Sequence, residues 1–220
     1  MSAERKNIWH DESGAALLEF TAAAFTFFIV LFGVVEFANV FYQWNAATKA
    51  VQLGARLAAV SDPVSDNLNE TDMSGLSSGV LPGDPMPSFD CLCDGSSGTC
   101  TGTVPAGASA CNYNAAAMDV LVYGRGNTTG TCDNTGANIG MCNVFLHNPP
   151  LTPQNVIVRY QYTGLGYAGR PGGPVPTITV SLTGLTYDFI LIGGLAGLGP
   201  INLPSFATTV TGEDLNVSGS

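Results

Sequence analysis

Between Phe20 and Val35 the chain carries no charged residue, and from Ala15 to Tyr42 only Glu19 and Glu36 interrupt an apolar run. About 20 apolar residues suffice to cross the ~30 Å hydrocarbon core of a bilayer, so the run is long enough for one membrane-spanning helix. The stretch AAAFTFFIVLFGVV is apolar on every face, whereas a helix lying on a soluble core keeps a polar face. A cleaved secretory signal has an apolar region of only ~7–15 residues with a small-residue cleavage site behind it, which fits poorly. The expectation is a polar leader over 1–14 and a transmembrane helix over 15–42. Arg5 and Lys6 on one side nearly balance Lys49 and Arg56 on the other, so flanking charge does not fix the orientation.

The cysteines do. All six, Cys91, Cys93, Cys100, Cys111, Cys132 and Cys142, lie C-terminal to the span in sequence rich in Gly, Ser, Thr and Asn. An even set in such loops predicts disulfides, which persist outside the reducing cytosol, so the C-terminal part is expected on the exported side. Cys91-Leu-Cys93 is a poor zinc motif, since no second close pair follows it. Fifteen pairings are possible for six cysteines, and Cys91 with Cys93 is the least suited to disulfide geometry.

The helical pattern continues past the span. In QWNAATKAVQLGARLAAV, residues Trp44, Ala47, Val51, Ala55 and Ala58 recur every three or four positions, with Gln43, Lys49, Gln52 and Arg56 elsewhere on the wheel. Residues 43–60 are therefore expected to be an amphipathic continuation of the same helix, ended by Ser61-Asp62-Pro63 because Pro cannot donate within a helix. Residues 15–60 would rise roughly 69 Å, far more than a bilayer needs, so the outer half must cover something.

A sheet is the expected partner. NVIVRYQYT alternates Val156, Val158, Tyr160 and Tyr162 against Ile157, Arg159 and Gln161, while TITVSLTGLTYDF alternates Ile178, Val180 and Leu182 against Thr177, Thr179 and Ser181. These predict antiparallel strands at 156–162 and 177–189, joined through AGRPGGPVP, with a third in SFATTVTGED at 205–214. The apolar FILIGGLAGLGPINLP between them is broken by glycines and prolines, so it reads as a loop over the sheet or against the membrane surface. Residues 61–155 are expected to be a disulfide-rich loop region with one short element, AAAMDVLVYG at 115–124, and residues 156–220 the sheet with its apolar loop. The fold class is thus α+β.

Charge excludes some functions. Seventeen acidic residues against seven basic ones give a net charge of −10, which repels nucleic acid. His10 and His147 are the two histidines and stand far apart, so histidine-based catalysis has little to build on. The aspartates from Asp62 to Asp94 lack calcium-loop spacing and read as a solvated surface, and no metal or cofactor is expected. Asn69, Asn127 and Asn216 begin glycosylation sequons, a pattern short enough to arise by chance.

A polar leader, Gly14, four apolar residues, Glu19 and a long helix turning amphipathic resemble type IV pilin-like proteins. Within that group GAALLEFTAAAFTFFIVLFGVVEFANVFYQWNAATKAVQLGARLAA is similar to the TadE-like minor pseudopilins of the tight-adherence (Flp) pilus system, and the tail from TITVSLTGLTYDF to FATTVTGED agrees. The middle, with all the cysteines, resembles no family. Two features depart from the usual pattern: the leader is acidic on balance, and Ala15 stands where many type IV pilins have an aromatic residue.

The resemblance implies a type IV pilin-like fold, with a long helix on a small antiparallel sheet. It implies cleavage after Gly14 by a prepilin peptidase, which leaves Ala15 as the N-terminus and Glu19 as its fifth residue. Glu19 would then meet the α-amine of a neighbouring subunit, a paired charge where a lone one is costly; otherwise it sits at headgroup level. Implied partners are the peptidase, membrane lipid and other pilin-like subunits, packing through small positions such as Ala22, Ala23 and Gly33. The location implied is the bacterial inner membrane, with a single span, a periplasmic C-terminal domain and possible entry into an extracellular pilus serving adhesion or secretion. The protein would be a structural or assembly subunit and not an enzyme. A membrane-anchored binding module or adhesin is the alternative, and an anchored periplasmic enzyme a third class for which no nucleophile–base pair is present.

Overall fold

The computed structural model describes residues 13–68, 80–127, 129–132, 139–146, 148–170, 175–191, 193–194, 197 and 199–212. The leader up to residue 12, His10, His147 and the sequons at Asn69 and Asn216 lie outside the described residues. Two compact units are present, Met1–Phe41 with Tyr187–Ile201, and Tyr42–Thr186 with Asn202–Ser220.

Helix α1 runs unbroken from Ser13 to Ala59. In the first unit its residues carry apolar side chains that nothing covers, Leu18, Phe20, Phe27, Val34 and Phe37 among them. An 18-residue window within it has a mean hydropathy of 2.2, long and apolar enough to cross a membrane. In the second unit the same helix becomes two-faced. Ala47, Ala50, Val51, Ala55 and Ala58 are buried while Lys49, Gln52 and Arg56 are exposed, as the heptad-like spacing requires.

That buried stripe joins the core of a five-stranded antiparallel sheet. Its strands are β1 (Asp90–Asp94), β2 (Thr99–Thr103), β3 (Val156–Gln161), β4 (Thr177–Leu182) and β7 (Phe206–Thr211), in the order β2-β1-β3-β4-β7. Register sets the inward rows: Cys91 opposes Tyr160, which opposes Ile178; Cys93 opposes Val158, which opposes Val180. Leu182 faces Phe206, whose ring meets the Trp44 indole edge-on at 4.9 Å. Tyr160, fully buried, also accepts a 2.9 Å hydrogen bond from the Val64 N–H just past the helix end. Burial raises its phenol pKa, so it stays a neutral hydroxyl.

Two expectations are corrected. The stretch 177–189 is not one strand: β4 ends at Leu182, Gly184 turns with φ +68°, and Thr186–Tyr187 forms the short strand β5, which pairs with β6 (Ile201–Asn202). The cysteine-rich region, read as loops, supplies the hairpin β1–β2, and β1 sits inside the sheet beside β3. Its closing strand depends on Gly102, at φ +154°, whose α-carbon lies so near the Asp90 carbonyl that a side chain would collide with it.

The expected short element at 115–124 is helix α2 (Ala115–Tyr123), capped by the Asn114 side chain accepting from the Ala117 N–H at 3.1 Å. A one-turn helix, α3 (Met141–Val144), follows, and the Met141 side chain lies against Gly54 of α1. A β-carbon at Gly54 would overlap the Met141 thioether. Gly54→Leu is therefore expected to destabilise the domain by ~1–3 kcal/mol, read as a lower urea midpoint. Gln52→Ala, on the exposed side, should stay within ~0.5 kcal/mol.

Candidate functional site

Gly14, Ala15 and Glu19 occupy the first turns of α1, and all three are exposed. A β-carbon on Gly14 would meet nothing within 4 Å, so the glycine is not demanded by packing in the single chain. Ala22, Ala23 and Gly33 lie further along the same uncovered helix. Ala22 and Ala23 are exposed, whereas Gly33 is half-buried.

The six cysteines are brought together in three disulfides: Cys91–Cys111, Cys93–Cys100 and Cys132–Cys142. Cys93 and Cys100 face each other directly across the β1–β2 hairpin. Cys91 points inward from β1, beside the buried Asn67 amide, and ties the hairpin to the segment ahead of α2. Paired sulfurs have no thiolate to offer zinc. Among the described residues no group of three metal-ligating side chains is assembled.

On the outward face of the sheet Arg159 forks onto Asp90, with Nε–Oδ1 at 2.8 Å and Nη2–Oδ2 at 2.5 Å, and Gln161 adds a longer bond at 3.3 Å. The guanidinium hydrogen bonds hold the Asp90 carboxyl below the usual carboxylate range, outweighing its partial burial. The pair joins β1 to β3 and is a structural clamp. A cleft beside the end of α1 is lined by Ser61, Asp62, Asn114, Ala117 and Arg125. Arg125 donates to the Val60 carbonyl and to the Ser61 hydroxyl, so it serves the open C-terminus of the helix.

Sequence reasoning gave Glu36 no task, yet its side chain is only 3% exposed. Its carboxylate accepts from the Tyr187 hydroxyl at 2.9 Å and the Ile190 N–H at 2.7 Å on Oε1, and from the Leu191 N–H at 3.0 Å on Oε2. The apolar loop therefore belongs with the first part of α1, within one compact unit. The signal available in the sequence was the isolation of this one carboxylate at the far end of the apolar run.

Residues 14–56 match the family model described as TadE-like protein. No curated protein and no solved structure matches the chain. The matched residues are the bare half of α1 together with most of its two-faced half. The likeness to the TadE-like family is thus confined to residues 14–56, the long helix, and does not reach the sheet or the cysteines.

Proposed function

We propose that the protein is a minor pseudopilin, a non-enzymatic structural or assembly subunit of the Flp pilus or a related secretion machine. The carrying observation is the TadE-like match on a helix whose first half is uncovered and whose second half is built into a separate domain core. The uncovered half anchors the subunit in the inner membrane and packs against other pilin-like helices. Three disulfides support a periplasmic position for the sheet domain, since such bonds persist outside the cytosol. Prepilin peptidase cuts after Gly14, and the exposed Glu19 pairs with the freed α-amine of a neighbour during assembly.

Two substitutions separate the steps. Gly14→Leu is expected to block processing, because cleavage there needs close backbone approach, and full-length protein should accumulate. Glu19→Ala should be cut and inserted yet recover no pili and no co-purifying subunits, with Glu19→Asp intermediate because its carboxylate is one methylene shorter. Intact mass reads the first step and pilus recovery the second. A native mass that begins at Met1 sinks the cleavage reading, and normal assembly of Glu19→Ala returns that residue to a headgroup-level role.

A further inference from the structure

From residue 19 to residue 36 the helix rises about 26 Å at ~1.5 Å per residue. A hydrocarbon core ~30 Å thick then holds Glu36 at or just inside one boundary when Glu19 lies at the other. A lone carboxylate at that depth is costly. Here it is buried and takes the three donated bonds from Tyr187, Ile190 and Leu191. The same bonds serve the loop. Irregular backbone cannot enter the acyl region with free N–H groups, and Glu36 satisfies the two at Ile190 and Leu191.

With these two donors satisfied, Ile190 and Leu191 carry their side chains outward, while the Phe189 ring lies against Tyr187. Ile190 is 68% exposed and Leu191 is also open, in the same compact unit as the exposed Val34 and Phe37 of α1. The apolar surface of the spanning helix and that of the loop therefore belong to one body whose buried carboxylate sits at the membrane boundary. We infer that Phe189–Leu191 is a second membrane-contacting element, a wedge that does not span, with its side chains among lipid acyl chains just beneath the headgroups on the sheet-domain side. Glu36 is the positioning residue that holds it there. The inference rests on α1 crossing the bilayer.

The test uses the full chain in vesicles of phosphatidylcholine and phosphatidylglycerol, with Trp9→Phe and Trp44→Phe as background. Single indoles are introduced by Ile190→Trp in the wedge, Val30→Trp in mid-span and Leu92→Trp on the outward sheet face. Lipids brominated near the headgroup end of the acyl chain should quench the wedge indole about twofold more than lipids brominated near the methyl end, as insertion ~5–10 Å deep requires. The mid-span indole should show the reverse order, and the sheet indole no quenching. A wedge indole that emits as in water while the mid-span indole is quenched overturns the wedge and leaves the span intact. Absence of quenching at both overturns the span, and the wedge with it. A blue-shifted wedge indole that brominated lipid does not touch means that protein covers the loop, which overturns lipid as its occupant. Adding Glu36→Ala should lower wedge quenching about twofold and speed amide exchange at residues 190 and 191, while mid-span quenching stays unchanged. Retention of both wedge signals overturns the part assigned to Glu36.

Discussion

Val180→Asp is expected to unfold the sheet domain at temperatures the native protein tolerates. Val180 is fully buried on β4, faces Val158 on β3 and Thr208 on β7, and belongs to the same core as the α1 alanines. A carboxylate there has no cation among its buried neighbours, so it must either stay charged without a partner or take up a proton, and both states cost free energy. The expected loss is on the order of 4 kcal/mol, which for a chain of this size lowers the melting temperature by roughly 10 °C or more. Thr179→Asp, one residue away on the outward face, should cost less than ~1 kcal/mol. Circular dichroism of the full chain in detergent reads both. Equal effects would mean that the two faces of β4 are wrongly assigned.

Removal of the Cys91–Cys111 disulfide by Cys91→Ala with Cys111→Ala is the second large effect. The bond closes a separation of 20 residues, and in the chain-entropy account that constraint is worth ~3 kcal/mol. The Cys93–Cys100 bond closes 7 residues, which gives ~2.4 kcal/mol on the same account. Cys91 and Cys93 both fill inward positions, beside Tyr160 and Val158, so either loss opens a gap in the sheet and the length of chain closed sets the order. Urea midpoints of the two alanine pairs should fall in that order. A larger loss from the 93–100 pair would place the main constraint in the hairpin and not in its tether.

Elements with an unbroken period were legible before the fold was seen. Strand β4 and the stripe from Ala47 to Ala58 keep inward residues apolar, β3 does so with Ile157 as its one apolar outward residue, and β7 holds the pattern at Phe206 and Val210, and the register and burial follow. Strand β1 hid because Cys91-Leu92-Cys93 is apolar throughout, with aspartates at both ends and a Gly/Ser turn behind, so no alternation marks its faces. Its partner β2 is threonine and glycine apart from Cys100. The pairing of the cysteines waited on that hairpin. The candidate site divides in the same way. Gly14 and Glu19 stand out by position ahead of a long apolar helix, whereas the role of Glu36 depends on a hydroxyl and two main-chain donors more than 150 residues away. Every residue but proline carries such a donor, so the partner leaves no mark in the sequence.

The bond from Val64 to Tyr160 joins positions 96 residues apart, just beyond the helix end that the sheet must cover. A chain emerges N-terminal end first at ~5–20 residues per second, so the alanine stripe of α1 waits about 5–20 s before β3 arrives, and longer for Phe206. Through that interval the helix shows water an apolar stripe next to an apolar span. Local contacts cannot close the core early, because Val156, Val158, Tyr160, Ile178, Val180, Leu182 and Phe206 of the same core all follow residue 155. The nascent chain is therefore sticky by construction until the gap between the first helix and the last strand is closed.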